Sequence, residues 1–165
     1  MTGRLISNTG PLIALALIDR LDILQKLFRQ VTVPGLVHAE LLEGGSSGCG
    51  LASYNKASWI EVRHLSKPVE PLLQTILDRG EASVIQLAGE IAADYVLIDE
   101  RKARKVARDV FGLKVVGTAR VLVEAKRNGY IDSVGAALSR MKEGGYYIHD
   151  TIVWFALKEA KETAR

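Results

Sequence analysis

Several things are missing from this chain, and each absence narrows what it can be. Its 165 residues hold one cysteine, Cys49, so no disulfide can form within the chain and a reducing cytosol is the simplest setting. Cys49 lies in Gly44-Gly45-Ser46-Ser47-Gly48-Cys49-Gly50, which reads as a flexible loop, and no positioned base accompanies it to make a catalytic thiol. The apolar run Pro11 to Ile18 is too short to cross a bilayer, and no signal-peptide cleavage pattern follows Met1 to Arg4. There is no internal repeat, no P-loop, and no dinucleotide glycine fingerprint after the first strand. His38, His64 and His149 have no metal-ligand spacing and read as surface or satisfied interior histidines. The net charge of +3 suits an anionic partner without demanding one, while a hydrophobic content of 48% argues against disorder.

What is present is an alternation of apolar runs and helical patterns. Strands are expected at Arg4–Asn8, Gln30–Val33, Trp59–His64, Tyr95–Ile98 and Leu113–Val116. Helices are expected at Pro11–Ile18, Asp22–Phe28, Pro34–Glu43, Pro71–Leu77, Glu81–Ala93, Glu100–Phe111, Thr118–Asn128, Val134–Lys142 and Asp150–Ala160, with a short helical piece after the Gly/Ser loop. Strands apolar on both faces, alternating with helices, predict an α/β fold with a mainly parallel, five-stranded central sheet covered on both sides. Residues 1–165 read as a single domain, with a core to about residue 120 and a helical C-terminal extension over about 121–165.

Such sheets bind ligands beyond the carboxyl ends of their strands. Asn8 and Asp99 each follow an apolar strand directly and should lie at that edge. A helix over Glu81–Ala93 descends about 20 Å. The strand from Tyr95 then climbs about 16 Å, so Glu81 and Asp99 finish close together. Glu40 falls on the stripe Leu36, Val37, Glu40 and Leu41, and Glu81 extends the stripe Val84, Ile85, Ala88 and Ala92. A carboxylate on a core-facing stripe needs compensation. Two of them about 4 Å apart repel by about 4 kcal/mol at an effective dielectric near 20, which a divalent cation would reverse. Taken singly, each residue has a plainer role: Glu81 favouring a helix dipole, Glu40 pairing with a buried cation, Asp99 or Asn8 capping a helix.

At these residues the chain resembles the PIN-domain family, metal-dependent ribonucleases that include VapC-type toxins. Ser7-Asn8-Thr9-Gly10-Pro11-Leu12-Ile13-Ala14-Leu15 looks like the opening segment, and Val33-Pro34 through Glu40-Leu41 like the second motif. Gly80-Glu81-Ala82 with Leu87-Ala88 looks like the third, and Leu97-Ile98-Asp99-Glu100-Arg101-Lys102 like the fourth. The long helical tail resembles a bacterial and archaeal subgroup. The resemblance implies a PIN-like three-layer α/β/α sandwich and Mg²⁺ or Mn²⁺ held by Asn8, Glu40, Glu81 and Asp99. Glu40, Glu81 and Asp99 would be the catalytic acids, and Thr9 and Thr118 would support them. It departs at Asn8, where the family usually has aspartate; an amide carbonyl still ligates but brings no charge.

The partners implied are RNA, an antitoxin protein and a second copy of the chain, all in the cytoplasm and without a membrane. Arg101, Lys102, Arg104, Lys105 and Arg108 form either an RNA track or a solvated helix face, and Arg120, Lys126 and Arg127 share that ambiguity. Glu100 is either a further acid or solvent-facing. Tyr146, Tyr147, Trp154 and Phe155 read either as packing of the last helix or as a dimer or antitoxin surface. Part of Pro11–Ile18 is read as packing against another subunit. His149-Asp150 marks a helix start, with Asp150 as the cap. A catalytically weak or inactive RNA- or protein-binding module is the alternative that Asn8 favours. A phosphorylated receiver-like domain would need an acidic pair after the first strand and a lysine after the fifth, where this chain has Asn8 and Gly117-Thr118.

Overall fold

Leu5, Ile6, Val31, Val33, Val96 and Leu97 are all almost fully buried, consecutive residues included, so the strands that carry them are covered on both faces. The computed structural model describes residues 1–44 and 50–163. The expected loop at Gly44–Gly50, with Cys49, therefore lies largely outside the described residues. The strands are β1 (Arg4–Ser7), β2 (Gln30–Pro34), β3 (Ile60–Arg63), β4 (Tyr95–Leu97) and β5 (Val115–Val116). They pair in the order β3-β2-β1-β4-β5, and every pairing is parallel.

Parallel neighbours need long crossovers, and these supply the flanking layers. Between β1 and β2 run α1 (Thr9–Leu17) and α2 (Asp22–Leu27); between β2 and β3, α3 (Gly35–Glu43) and α4 (Leu51–Lys56). α5 (Pro71–Ile76) and α6 (Arg79–Glu90) lead back to β4, and α7 (Arg101–Asp109) leads on to β5. The first crossovers step outward one way and the later ones step the other way. Right-handed connections therefore put α1–α2 and α6–α7 on opposite faces, a three-layer α/β/α sandwich. α8 (Thr118–Arg127), α9 (Val134–Glu143) and α10 (Asp150–Glu159) complete the chain, with α8 lying against α1 and α2.

Element boundaries shift by one to three residues from expectation, some for plain local reasons. α6 begins at Arg79 rather than Glu81 because Asp78 caps it: the Asp78 carboxylate accepts from the Glu81 N–H at 2.8 Å, and the Glu81 carboxylate reaches back to the Asp78 N–H. α10 is capped by His149, whose Nδ1 accepts from the Thr151 N–H at 3.1 Å, and not by Asp150, which is its first helical residue. Most of the apolar run in α1 is buried by its own chain, while Ile13 and Leu17, one turn apart on one face, are half-buried. No helix among the described residues is long and apolar enough to cross a membrane.

The C-terminal helices are tied down by Glu162. Its carboxylate accepts from the Val134 N–H at 2.7 Å, the Gly135 N–H at 2.9 Å, the Ser133 hydroxyl at 3.1 Å and Lys126 Nζ at 2.8 Å. It thus neutralises the N-terminus of α9. Partial desolvation works to raise its pKa, but the bonds from Lys126, Gly135, Val134 and Ser133 outweigh this and hold it down to about 2. Because the folded pKa lies below the ordinary 4.5, the stabilisation is full above about pH 4.5 and is lost as pH falls through about 2. Glu162→Gln should therefore lower stability at pH 7 by about 1 kcal/mol, with the gap from wild type closing as the pH falls towards 2; urea titrations at pH 7 and pH 2.5 check this.

Candidate active site

Strand order reverses between β1 and β4, and the two strands end together. Ser7 stands opposite Leu97, and the Asn8 N–H donates to the Leu97 carbonyl at 3.0 Å. Asn8 and Asp99 therefore flank the switch point of the sheet, the place where open α/β sheets bind ligands. Asn8 is the residue before α1, but its side chain makes no capping bond.

Asp99 is half-buried and held from β5 and from the tail. Thr118, the first residue of α8 and fully buried, donates its N–H to Asp99 Oδ1 at 2.7 Å and its hydroxyl to Oδ2 at 2.5 Å. The Tyr146 hydroxyl also donates to Oδ2. Burial, and then the adjacent Asp99 carboxylate, push the Tyr146 pKa upward, so it stays a protonated donor. Asp99 does not cap α7. Glu100 does so, accepting from the Lys102 and Ala103 N–H groups at 3.1 and 2.8 Å, with its side chain at the surface.

Glu40 differs from expectation in burial. Val37 and Leu41 point into the core, but Glu40 is exposed, at the rim of that stripe. It reaches the same edge by another route: Thr9 donates its hydroxyl to Glu40 Oε2 at 2.6 Å, and Oε1 lies 2.7 Å from where a Cβ on Gly80 would stand. A glycine at position 80 leaves room for the carboxylate beside the first turn of α6. Glu81, the next residue, is 7% exposed. Burial, followed by repulsion from Asp78 and Glu100, raises its pKa from 4.5 to about 7.

Among the described residues, no salt bridge reaches Glu40, Glu81 or Asp99. Nor are any three His, Cys, Asp or Glu side chains gathered to hold a metal ion together. The carboxylates instead take hydroxyl and N–H donors one by one. Their chemistry nonetheless suits a hard divalent ion. The donors are all oxygens, and Glu81, driven towards protonation by burial and then by Asp78 and Glu100, is a carboxyl whose charged form a cation would favour.

Asp99 also opens onto a pocket of about 650 Å³ lined by Arg101, Arg104, Arg120, Tyr147, His149 and Ile152, among others. Arg104 is half-buried, and burial lowers its pKa while Asp99 partly restores it. Its Nη1 donates to the Ile98 carbonyl at 2.7 Å, and among the described residues it has no carboxylate within salt-bridge range. Lys102 and Lys105 are exposed on α7 and do not line the pocket, and Arg108 pairs with Asp109. Lys126 pairs with Glu162, and Arg127 with Glu124 and Glu159; Arg120 pairs with Glu124 and Glu159 while also lining the pocket. Tyr147, Trp154 and Phe155 are exposed, so core packing holds only for the half-buried Tyr146. His38 is satisfied by the Tyr54 hydroxyl at 2.6 Å.

Tyr146 is the site residue that sequence reading placed elsewhere. No motif announces it, and the only local signal is the Gly144-Gly145 stop that ends α9. Asp78 was readable from its spacing to Glu81. Among comparisons with known proteins, a family model described as a PIN domain matches residues 4–162, which takes in α9 and α10. No curated protein matches the chain.

The folded state holds the Glu81 proton more tightly than the unfolded chain does. That contribution to stability is full below about pH 4.5 and is lost as the pH rises to about 7. In EDTA, wild type should lose stability relative to Glu81→Gln between pH 5 and pH 8, by an amount on the order of 2 kcal/mol in denaturant titrations.

Proposed function

The chain belongs to the PIN-domain family, a nuclease-type family, and from that membership we propose that it is a divalent-metal-dependent ribonuclease working at the carboxyl edge of β1 and β4. The observation that carries this reading is the position of Asp99, pinned by Thr118 at the switch point and opening directly onto an arginine-lined pocket. Glu40, Glu81 and Asp99 would hold Mg²⁺ or Mn²⁺, with Asn8 as a neutral oxygen ligand. Held there, such an ion would acidify a water and offset charge on the scissile phosphate. No protein nucleophile is needed.

The chain's own residues do the rest. Thr118 fixes the Asp99 carboxylate, and Thr9 fixes Glu40. Arg104, desolvated and with no salt bridge among the described residues, offers its remaining guanidinium donors to a phosphate, and Arg101 stands beside it in the pocket wall. Lys102 and Lys105 add field strength along α7 rather than direct contact with the pocket. The proposed role as toxin of a toxin–antitoxin pair in the cytoplasm rests on the resemblance to VapC-type members alone. The second reading, a weakly active or inactive module that binds RNA or protein, is favoured by the neutral Asn8 and by the separately satisfied carboxylates.

Cleavage of an RNA oligonucleotide should require Mn²⁺ or Mg²⁺ and stop in EDTA, and Asp99→Asn should lower kcat by more than about 100-fold. Equal cleavage by wild type and Asp99→Asn removes the catalytic reading and leaves the binding module. Arg104→Ala should weaken RNA binding across sequences, and the slope of log affinity against log salt should shrink by about 1 in fluorescence titrations.

A further inference from the structure

The arginine-lined pocket is larger and less uniformly charged than a phosphate alone needs. A water takes up about 30 Å³ in the liquid, so a bare phosphate would leave most of a 650 Å³ pocket to solvent. Two kinds of group line it. Arg101 and Arg104 come from α7, whereas Tyr147, Ile148, His149 and Ile152 bring rings and apolar surface from the other side of the sequence. Arg104 is fixed in place: its Nη1 donates to the Ile98 carbonyl at 2.7 Å and lies 2.8 Å from where a Cβ on Gly117 would stand. A glycine at position 117 thus leaves room for the guanidinium in the pocket wall.

Between α9 and α10 the chain from Tyr146 to His149 belongs to no helix or strand, and its burial alternates: Tyr146 and Ile148 are half-buried, Tyr147 and His149 exposed. The inward pair is anchored, Tyr146 by its hydrogen bond to Asp99 and Ile148 against the core. Tyr147 is left 68% exposed in the pocket wall. Trp154 and Phe155, also exposed, meet edge to face at 5.0 Å, and Lys158 lies over Trp154 at 5.1 Å; among the described residues the Tyr147 ring has neither an aromatic nor a cationic partner. A lone exposed ring is ordinary, but one beside fixed guanidiniums matches the two surfaces of a nucleotide, a flat base and an anionic phosphate. We infer that the pocket takes one unpaired nucleotide of a single-stranded RNA, with its base stacked on Tyr147 and its phosphate on Arg104 and Arg101. Tyr147 then selects single strands over duplex, whose bases are already stacked on one another and offer no free face. This rests on reading the pocket as an RNA-binding face.

On the full chain in EDTA, fluorescence anisotropy would follow the binding of labelled oligouridylate, of the same strand paired with oligoadenylate, and of a ribose–phosphate strand of equal length without bases. Wild type should prefer oligouridylate to the other two. Tyr147→Ala should bind oligouridylate about 10-fold more weakly and lose that preference, while Tyr147→Phe, which keeps the ring, stays near wild type. Tyr147→Ala should leave the slope of log affinity against log salt unchanged, unlike Arg104→Ala, because no phosphate contact is removed. Both Tyr147 variants should melt with wild type. A wild type without the preference, a Tyr147→Ala that keeps it, or a loss shared equally by Tyr147→Phe would overturn this inference; metal-dependent cleavage by the same wild type would leave the nuclease reading standing. A wild type that neither binds nor cleaves RNA would overturn both.

Discussion

The parallel pairing of β1 with β4 is the constraint on which the site depends. A parallel neighbour cannot be reached by a tight turn, so the chain must return through α5 and α6 before β4 can lie beside β1. That return starts α6 at the carboxyl edge, which delivers Glu81, and ends β4 beside Asn8, which delivers Asp99. The pairing is held by strands buried on both faces, and a one-residue slip would exchange the two faces of β4 and turn Asp99 away.

Acid and base are kept apart at this edge. The carboxylates are satisfied by neutral donors: Glu40 by Thr9, Asp99 by Thr118 and Tyr146, and Glu81 by the backbone of Asp78. The guanidiniums of Arg101 and Arg104 stand in the adjoining pocket, and Arg104 bonds to a carbonyl rather than to an acid. Had those arginines paired with the acids, the charges would have cancelled and neither a cation nor a phosphate would find an uncompensated partner. Separated, the two signs would suit the proposed phosphate-bearing substrate together with the proposed metal ion.

The tail is joined to this edge by two separate ties. Glu162 closes onto the N-terminus of α9, and Tyr146 leaves the C-terminus of α9 for Asp99. α9 is therefore held at both ends, one tie made to its own backbone and the other to the site. That gives the helical extension a reason to be within the matched family region rather than an appendage to it.

The order of strands and helices, the parallel sheet and the edge positions of Asn8 and Asp99 were legible in the sequence because they follow from local periodicity and from the length of each crossover. Glu81 was legible for the same reason, lying on a stripe that the helix repeat must bury. Glu40 was misjudged in burial because the stripe is wider than the contact it makes: a position at its rim faces solvent once α3 is packed, and only the packing angle decides which. Which arginines face the pocket, and that Tyr146 meets Asp99 across 47 positions of sequence, were set by tertiary packing alone. Local propensity determines an element and its faces. It carries no information about which side chain from a distant element will fill the space left by a missing Cβ, as Tyr146 does against Gly10.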